Sequence, residues 1–231
     1  MAKLFVFGCS LSYSTNWPER LAKKFNLDLV KVAVPAGDNV TQCRRFIDLL
    51  LQDKINFDDV IIWEITYLDR MGFRLRPDHP FLENSKKVKH NLHSFEHNLF
   101  DGHKHLDYVA FNSEWYDTWY YVKNTTQTLL EIVFTLIMAN QTVRNKCLIW
   151  FAQNNLFDEN QDKTFCNLLD KNNILHLDYD TQSLMSWVYQ NSLPLSPLNN
   201  MHPTEQVYQQ FVEIFIEPHI KKLIADQSLD K

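Results

Sequence analysis

Asp59-Val60-Ile61-Ile62-Trp63-Glu64-Ile65 reads as a strand without a solvent face, because apolar residues run in succession from Val60 to Trp63 where a half-exposed strand would alternate. Strands buried on both sides belong to parallel sheets covered by helices. The flanking sequence has that rhythm. Upstream lie a strand over Lys3–Phe7 ending at Gly8, and a helix start at Asn16-Trp17-Pro18-Glu19 with Asn16 as N-cap. A second strand over Leu29–Val34, closed by Pro35-Ala36-Gly37, and a helix from about Asn39 to Gln52 complete this half. Downstream, Leu129, Ile132, Val133, Leu136 and Ile137 set the apolar face of a helix from about Glu114 to Ala139. Strands over Cys147–Ala152 and Ile174–Tyr179 follow, with a helix near Lys163–Leu169 between them and a last helix from Pro203 to about Ile224. This pattern predicts one three-layer α/β/α domain over 1–231, with about five parallel strands in a flavodoxin-like order. A loop-rich insertion with one or two short helices is expected at about 67–112, where periodicity lapses.

Composition narrows the function. The net charge of −5 is spread without long runs of one sign, so the basic face of a nucleic-acid binder is missing. No apolar run approaches the roughly 18 residues of a membrane span, and the N-terminal run is too short for a signal peptide. Cys9, Cys43, Cys147 and Cys166 are scattered without a CxxC pair, which suits reduced thiols better than a zinc site or a disulfide framework. A cytoplasmic or virion-associated protein without cofactor or metal is expected, of unassigned oligomeric state.

Ligands of open parallel sheets bind beyond the carboxyl ends of the strands. The residues there are Gly8-Cys9-Ser10-Leu11-Ser12, Ala36-Gly37-Asp38-Asn39 and Thr66-Tyr67-Leu68-Asp69-Arg70, with Asn199-Asn200-Met201-His202-Pro203 opening the last helix. A serine, a glycine, polar groups and a histidine would meet at one sheet edge. These are the parts of a serine hydrolase: a nucleophile, oxyanion donors and a base. Ser10 also suits a helix-capping turn, and Cys9 is an alternative thiol nucleophile beside it.

Gly8-Cys9-Ser10-Leu11-Ser12 resembles the Gly-Asp-Ser-Leu-Ser block of the SGNH (GDSL-type) hydrolases, and His202-Pro203-Thr204-Glu205 resembles that family's final block. Gly37 falls where the family keeps an oxyanion-hole glycine. The resemblance implies an esterase fold, with Ser10 as nucleophile, His202 as base, and Gly37, the Ser10 amide and Thr66 around the oxyanion. The third block, Gly-x-Asn-Asp in the family, reads Glu64-Ile65-Thr66-Tyr67 here, which puts Thr66 in the asparagine's place. The acid usually found three residues before the histidine is Asn199, with Asp178 and Asp180 as substitute carboxylates. Arg70, with Arg74 and Arg76, supplies cationic groups for substrate binding from the insertion.

The expected activity is hydrolysis of an acyl ester, on a small molecule, an acetylated carbohydrate or a lipid, through an acyl-enzyme. A decayed binding scaffold and an O-acyltransferase remain as alternatives. His90, His93 and His97, spaced i, i+3, i+7, share a face if helical, but no Cys or paired carboxylates accompany them and no metal is assigned. Trp115, Tyr116, Trp119, Tyr120 and Tyr121 read as packing, with a carbohydrate platform as the minority reading.

Overall fold

A computed structural model describes residues 1–33, 38–66, 72–74, 96–98, 125–153, 159–197 and 199–225. Among these, one parallel sheet holds β1 (Lys3–Phe7), β2 (Asp28–Lys31), β3 (Val60–Ile65), β6 (Cys147–Phe151) and β7 (Leu175–His176) in the order β2-β1-β3-β6-β7. Two small antiparallel pairs stand outside it. β4 (Gly72–Arg74) pairs with β5 (Glu96–Asn98), and β8 (Leu195–Ser196) pairs with β9 (Asn199–Pro203). The helices are α1 (Ser10–Tyr13), α2 (Trp17–Phe25), α3 (Asn39–Leu51), α4 (Thr125–Thr142), α5 (Glu159–Lys171), α6 (Leu184–Gln190), α7 (Glu205–Phe211) and α8 (Glu217–Ala225). A π-helical turn over Val212–Ile216 joins the last two.

Successive side chains of a strand point to opposite faces, and here they sort into two cores. Phe5, Phe7, Ile61, Trp63, Ile149 and Phe151 face α3, α4 and α5, packing on Phe46, Ile132, Leu136 and Phe165. Leu4, Val6, Val60, Ile62, Leu148 and Trp150 face α2, α6, α7 and α8, packing on Trp17, Leu21, Leu184, Phe211 and Ile216. The sheet is thus covered on both sides, which gives the expected three-layer α/β/α class. All six residues of β3 are buried, as the apolar succession Val60–Trp63 predicts, and Glu64 is buried with them.

Three details differ from the sequence reading. The last helix does not open at Pro203: Pro203 ends β9, Thr204 is the N-cap, and α7 begins at Glu205. A residue before proline is driven to extended backbone, so His202 continues a strand. The second and fifth strands are shorter than expected, because Val32 and Ala33 already converge on the Val6 carbonyl and β7 pairs through two residues only. His97 lies in β5, which removes the helical face it would share with His90 and His93. The fourth helix is described from Thr125 onward. Residues 114–124, the aromatic cluster among them, and most of the insertion fall outside the described residues.

Trp63 stacks on Phe7 with ring centroids 4.3 Å apart and is fully buried, whereas Phe57 is 49% exposed beneath Arg144. Trp63→Ala is expected to lower unfolding free energy by about 3–5 kcal/mol and Phe57→Ala by less than about 1 kcal/mol, as measured by urea denaturation.

Candidate active site

β1 and β3 pair with Phe7 beside Trp63, so the chain leaves both strands at the same edge. Because β2 lies on one side of β1 and β3 on the other, this edge is the topological switch point, the usual ligand crevice of such sheets. Ser10 opens α1 immediately beyond β1, in a turn closed by hydrogen bonds from the Ser12 and Tyr13 amides to the Cys9 carbonyl at 3.1 and 2.9 Å. The first N–H groups of a helix have no intrahelical acceptor, and the Ser10 amide is one of them. His202 reaches the same place from the other end of the sequence, on β9. Its Nε2 stands 3.1 Å from Ser10 Oγ, within reach of direct proton transfer.

Beneath Ser10 lies a carboxylate that the sequence reading passed over. Glu64, in β3, is fully buried. Its Oε2 accepts from the Cys9 amide at 3.1 Å and from the Ser12 hydroxyl at 2.6 Å, and Oε1 accepts from the Cys9 thiol at 2.7 Å. The signal was present: one acidic residue inside a run of apolar ones is costly unless paired. Gly8 is the neighbour that permits it. A Cβ there would overlap Glu64 Oε2 and come within 2.7 Å of Ser12 Oγ and 2.9 Å of Glu64 Cβ.

Thr66 is buried just beyond β3, and its backbone is clamped by Asn39: the Thr66 amide donates to Asn39 Oδ1 at 3.0 Å and its carbonyl accepts from Asn39 Nδ2 at 2.9 Å. Asn39 is itself the first residue of α3, whose N-cap Asp38 accepts from the Thr41 amide at 2.9 Å. Asn39 is thus a second supporting residue missed at the level of sequence, where it stood only as a polar neighbour of Gly37. Gly37 and Arg70 lie outside the described residues. Asn199 is placed by its backbone alone, in β9 opposite Ser196.

Asp178 accepts from the Thr181 hydroxyl at 2.6 Å and the Thr181 amide at 2.7 Å. The hydroxyl bond is the main cause holding its pKa below the ordinary carboxylate range, with partial burial opposing. Asp178 and Asp180 line a cleft of about 450 Å³ with Lys163, Asp170 and His176, and neither Ser10 nor His202 is among the lining residues. None of the four cysteines forms a disulfide, and Cys9, Cys43 and Cys147 are buried; burial pushes the Cys43 thiol up to about 12 and raises that of Cys147 as well. The described residues hold no group of three or more potential metal ligands, and none of their helices is long and apolar enough to cross a membrane.

No protein-family model and no curated protein matches the sequence. Solved structures do match. The crystal structure of TesA aligns with a TM-score of 0.52 at 10% identity, covering 96% of this chain and 99% of TesA. The psychrotrophic esterase EstA from Pseudoalteromonas sp., in a structure inhibited by monoethylphosphonate, aligns with a TM-score of 0.52 at 10% identity over the whole of both chains. The chain shares the α/β fold of these two structures.

Gly8→Ala is expected to destabilise the protein by about 1–3 kcal/mol, because the added methyl has no space beside a fully buried side chain. Thermal unfolding measures it.

Proposed function

We propose that the chain is a serine ester hydrolase of the SGNH type, acting through an acyl-enzyme. The observation that carries this reading is the 3.1 Å contact between Ser10 Oγ and His202 Nε2 at the switch point of an esterase fold. His202 Nε2 takes the hydroxyl proton as Ser10 Oγ adds to the ester carbonyl. The Ser10 amide, Gly37 and Thr66 serve the oxyanion, the donors being most effective in a water-excluded site. Collapse of the tetrahedral species expels the alcohol, which receives the proton from His202. Water then attacks the acyl-serine by the same steps in reverse order of partners.

Asn199 stands in the place of the acid that orients the imidazole. An amide holds a tautomer but brings no negative charge to the imidazolium, and in a serine protease the acid-to-amide change lowers turnover about 10⁴-fold. This makes the enzyme slow on generic esters. The segment 67–112 follows β3 in sequence, and long loops in that place commonly carry substrate choice, with Arg70 its first cationic group. The substrate class is a small-molecule, carbohydrate or lipid ester.

A fluorophosphonate should label Ser10 in the wild type and leave Ser10→Ala unlabelled, with intact-mass and peptide mapping as the readout. Absence of both an adduct and any turnover of nitrophenyl acetate would leave the fold as a binding scaffold. Asn199→Asp should increase kcat on nitrophenyl acetate by about 10-fold or more. A flat or lower rate, with His202→Ala inactive, would transfer the orienting role to another group.

A further inference from the structure

The proton-transfer pair makes no use of Glu64, yet three groups that donate to it come from residues on either side of Ser10: the amide and thiol of Cys9 and the hydroxyl of Ser12. All three are donors, the set a carboxylate accepts. An apolar side chain in its place would leave the buried Cys9 amide and Ser12 hydroxyl without acceptors. The carboxylate is also closely confined, since the Cβ-free surface of Gly8 is occupied by its Oε2. Hydrogen bonds to the residue before the serine and to the residue two after it, in a packed pocket, fix the rotation of the turn rather than merely its position.

We propose that Glu64 is the positioning residue of the nucleophile turn: by gripping Cys9 and Ser12 from β3 it aims Ser10 Oγ at His202 Nε2, with the Cys9 thiol a donor in this grip. This rests on the hydrolase reading above. Chemistry distinguishes the roles of charge and hydrogen bonding here. In Glu64→Gln the amide oxygen takes the place of Oε2, accepting from the Cys9 amide and Ser12, while its NH₂ faces the Cys9 sulfur, a weak acceptor. The turn therefore survives in Glu64→Gln and loses its anchor in Glu64→Leu.

The test compares wild type, Glu64→Gln and Glu64→Leu on nitrophenyl acetate, with kcat referred to serine titrated by a fluorophosphonate. Glu64→Leu should lower kcat about 100-fold with KM within about threefold, because substrate contacts stay while the attack geometry is lost. Glu64→Gln should stay within about fivefold of wild type. If Glu64→Leu does not fold, Ser12→Ala takes its place and should lower kcat about 3- to 10-fold at unchanged KM. Amide hydrogen exchange supplies a readout independent of turnover: the Cys9 amide should lose protection in Glu64→Leu, or the Ser12 amide in Ser12→Ala, while Phe5 and Phe7 keep theirs. Wild-type kcat in Glu64→Leu, equal losses in both Glu64 variants, or retained protection of the turn amides would each overturn the proposal. A wild type inert to ester and fluorophosphonate would instead overturn the hydrolase reading, and the exchange result would still decide whether Glu64 holds the turn.

Discussion

The register between β1 and β3 is the constraint from which the site follows. Leu4 lies beside Val60 and Phe7 beside Trp63, with their rings stacked at an interplanar angle of 9°. A slip of one residue would exchange every side chain of one strand between the two cores, burying Leu4 and Val6 against α3 and α4 and turning Phe5 and Phe7 toward α2. With the register held, the next residues along each strand are Gly8 and Glu64, the one lacking a side chain where the other needs the space. Ser10 and Thr66 then follow two residues further on, at the same edge. Asp59 secures the opposite end of the pairing, accepting from the Lys3 and Asn56 amides, each at 2.7 Å.

His202 reaches this edge by an independent support. Trp150, at the centre of the sheet, meets Trp17 of α2 edge-on at 6.2 Å and Phe211 of α7 at 5.7 Å. The helix following the nucleophile turn and the helix following the histidine therefore rest on a single indole. Lys24 of α2 and Glu217 of α8, joined at 2.5 Å, add a surface tie just beyond the π-turn, one that salt would weaken. Nucleophile and base come from opposite ends of the chain, but their spacing depends on one shared surface.

The layers of the fold were legible because burial imposes periodicity: Val60–Trp63 and Cys147–Phe151 have no polar interruption, and Leu129, Ile132, Val133 and Leu136 keep helical spacing. Ser10 and His202 were legible because each follows or precedes an element whose identity was clear. What could not be read were partners set by register across the sheet. Nothing in a linear sequence says that Glu64 faces Gly8, or that Asn39 closes on Thr66, since both contacts join segments far apart in the chain. Pro203 misled for a local reason: proline suits the first turn of a helix and the end of a strand alike, and the β8–β9 pairing chose the second.

The π-turn at Val212–Ile216 has a consequence for how length changes are tolerated. Tyr208, Val212, Ile216 and Ile220 all face the core, at steps of four residues. In an uninterrupted α-helix, twelve residues at about 100° each would carry Ile220 some 120° away from the line of Tyr208. Widening one turn absorbs roughly one residue's rotation and brings the line back. The turn is equivalent to an extra residue accommodated as pitch instead of as a loop. Deleting one residue within it would regularise the hydrogen-bond ladder while shifting the following segment by one, so the helix could shorten without losing its seat on the sheet; the same deletion anywhere in β3 would invert the strand.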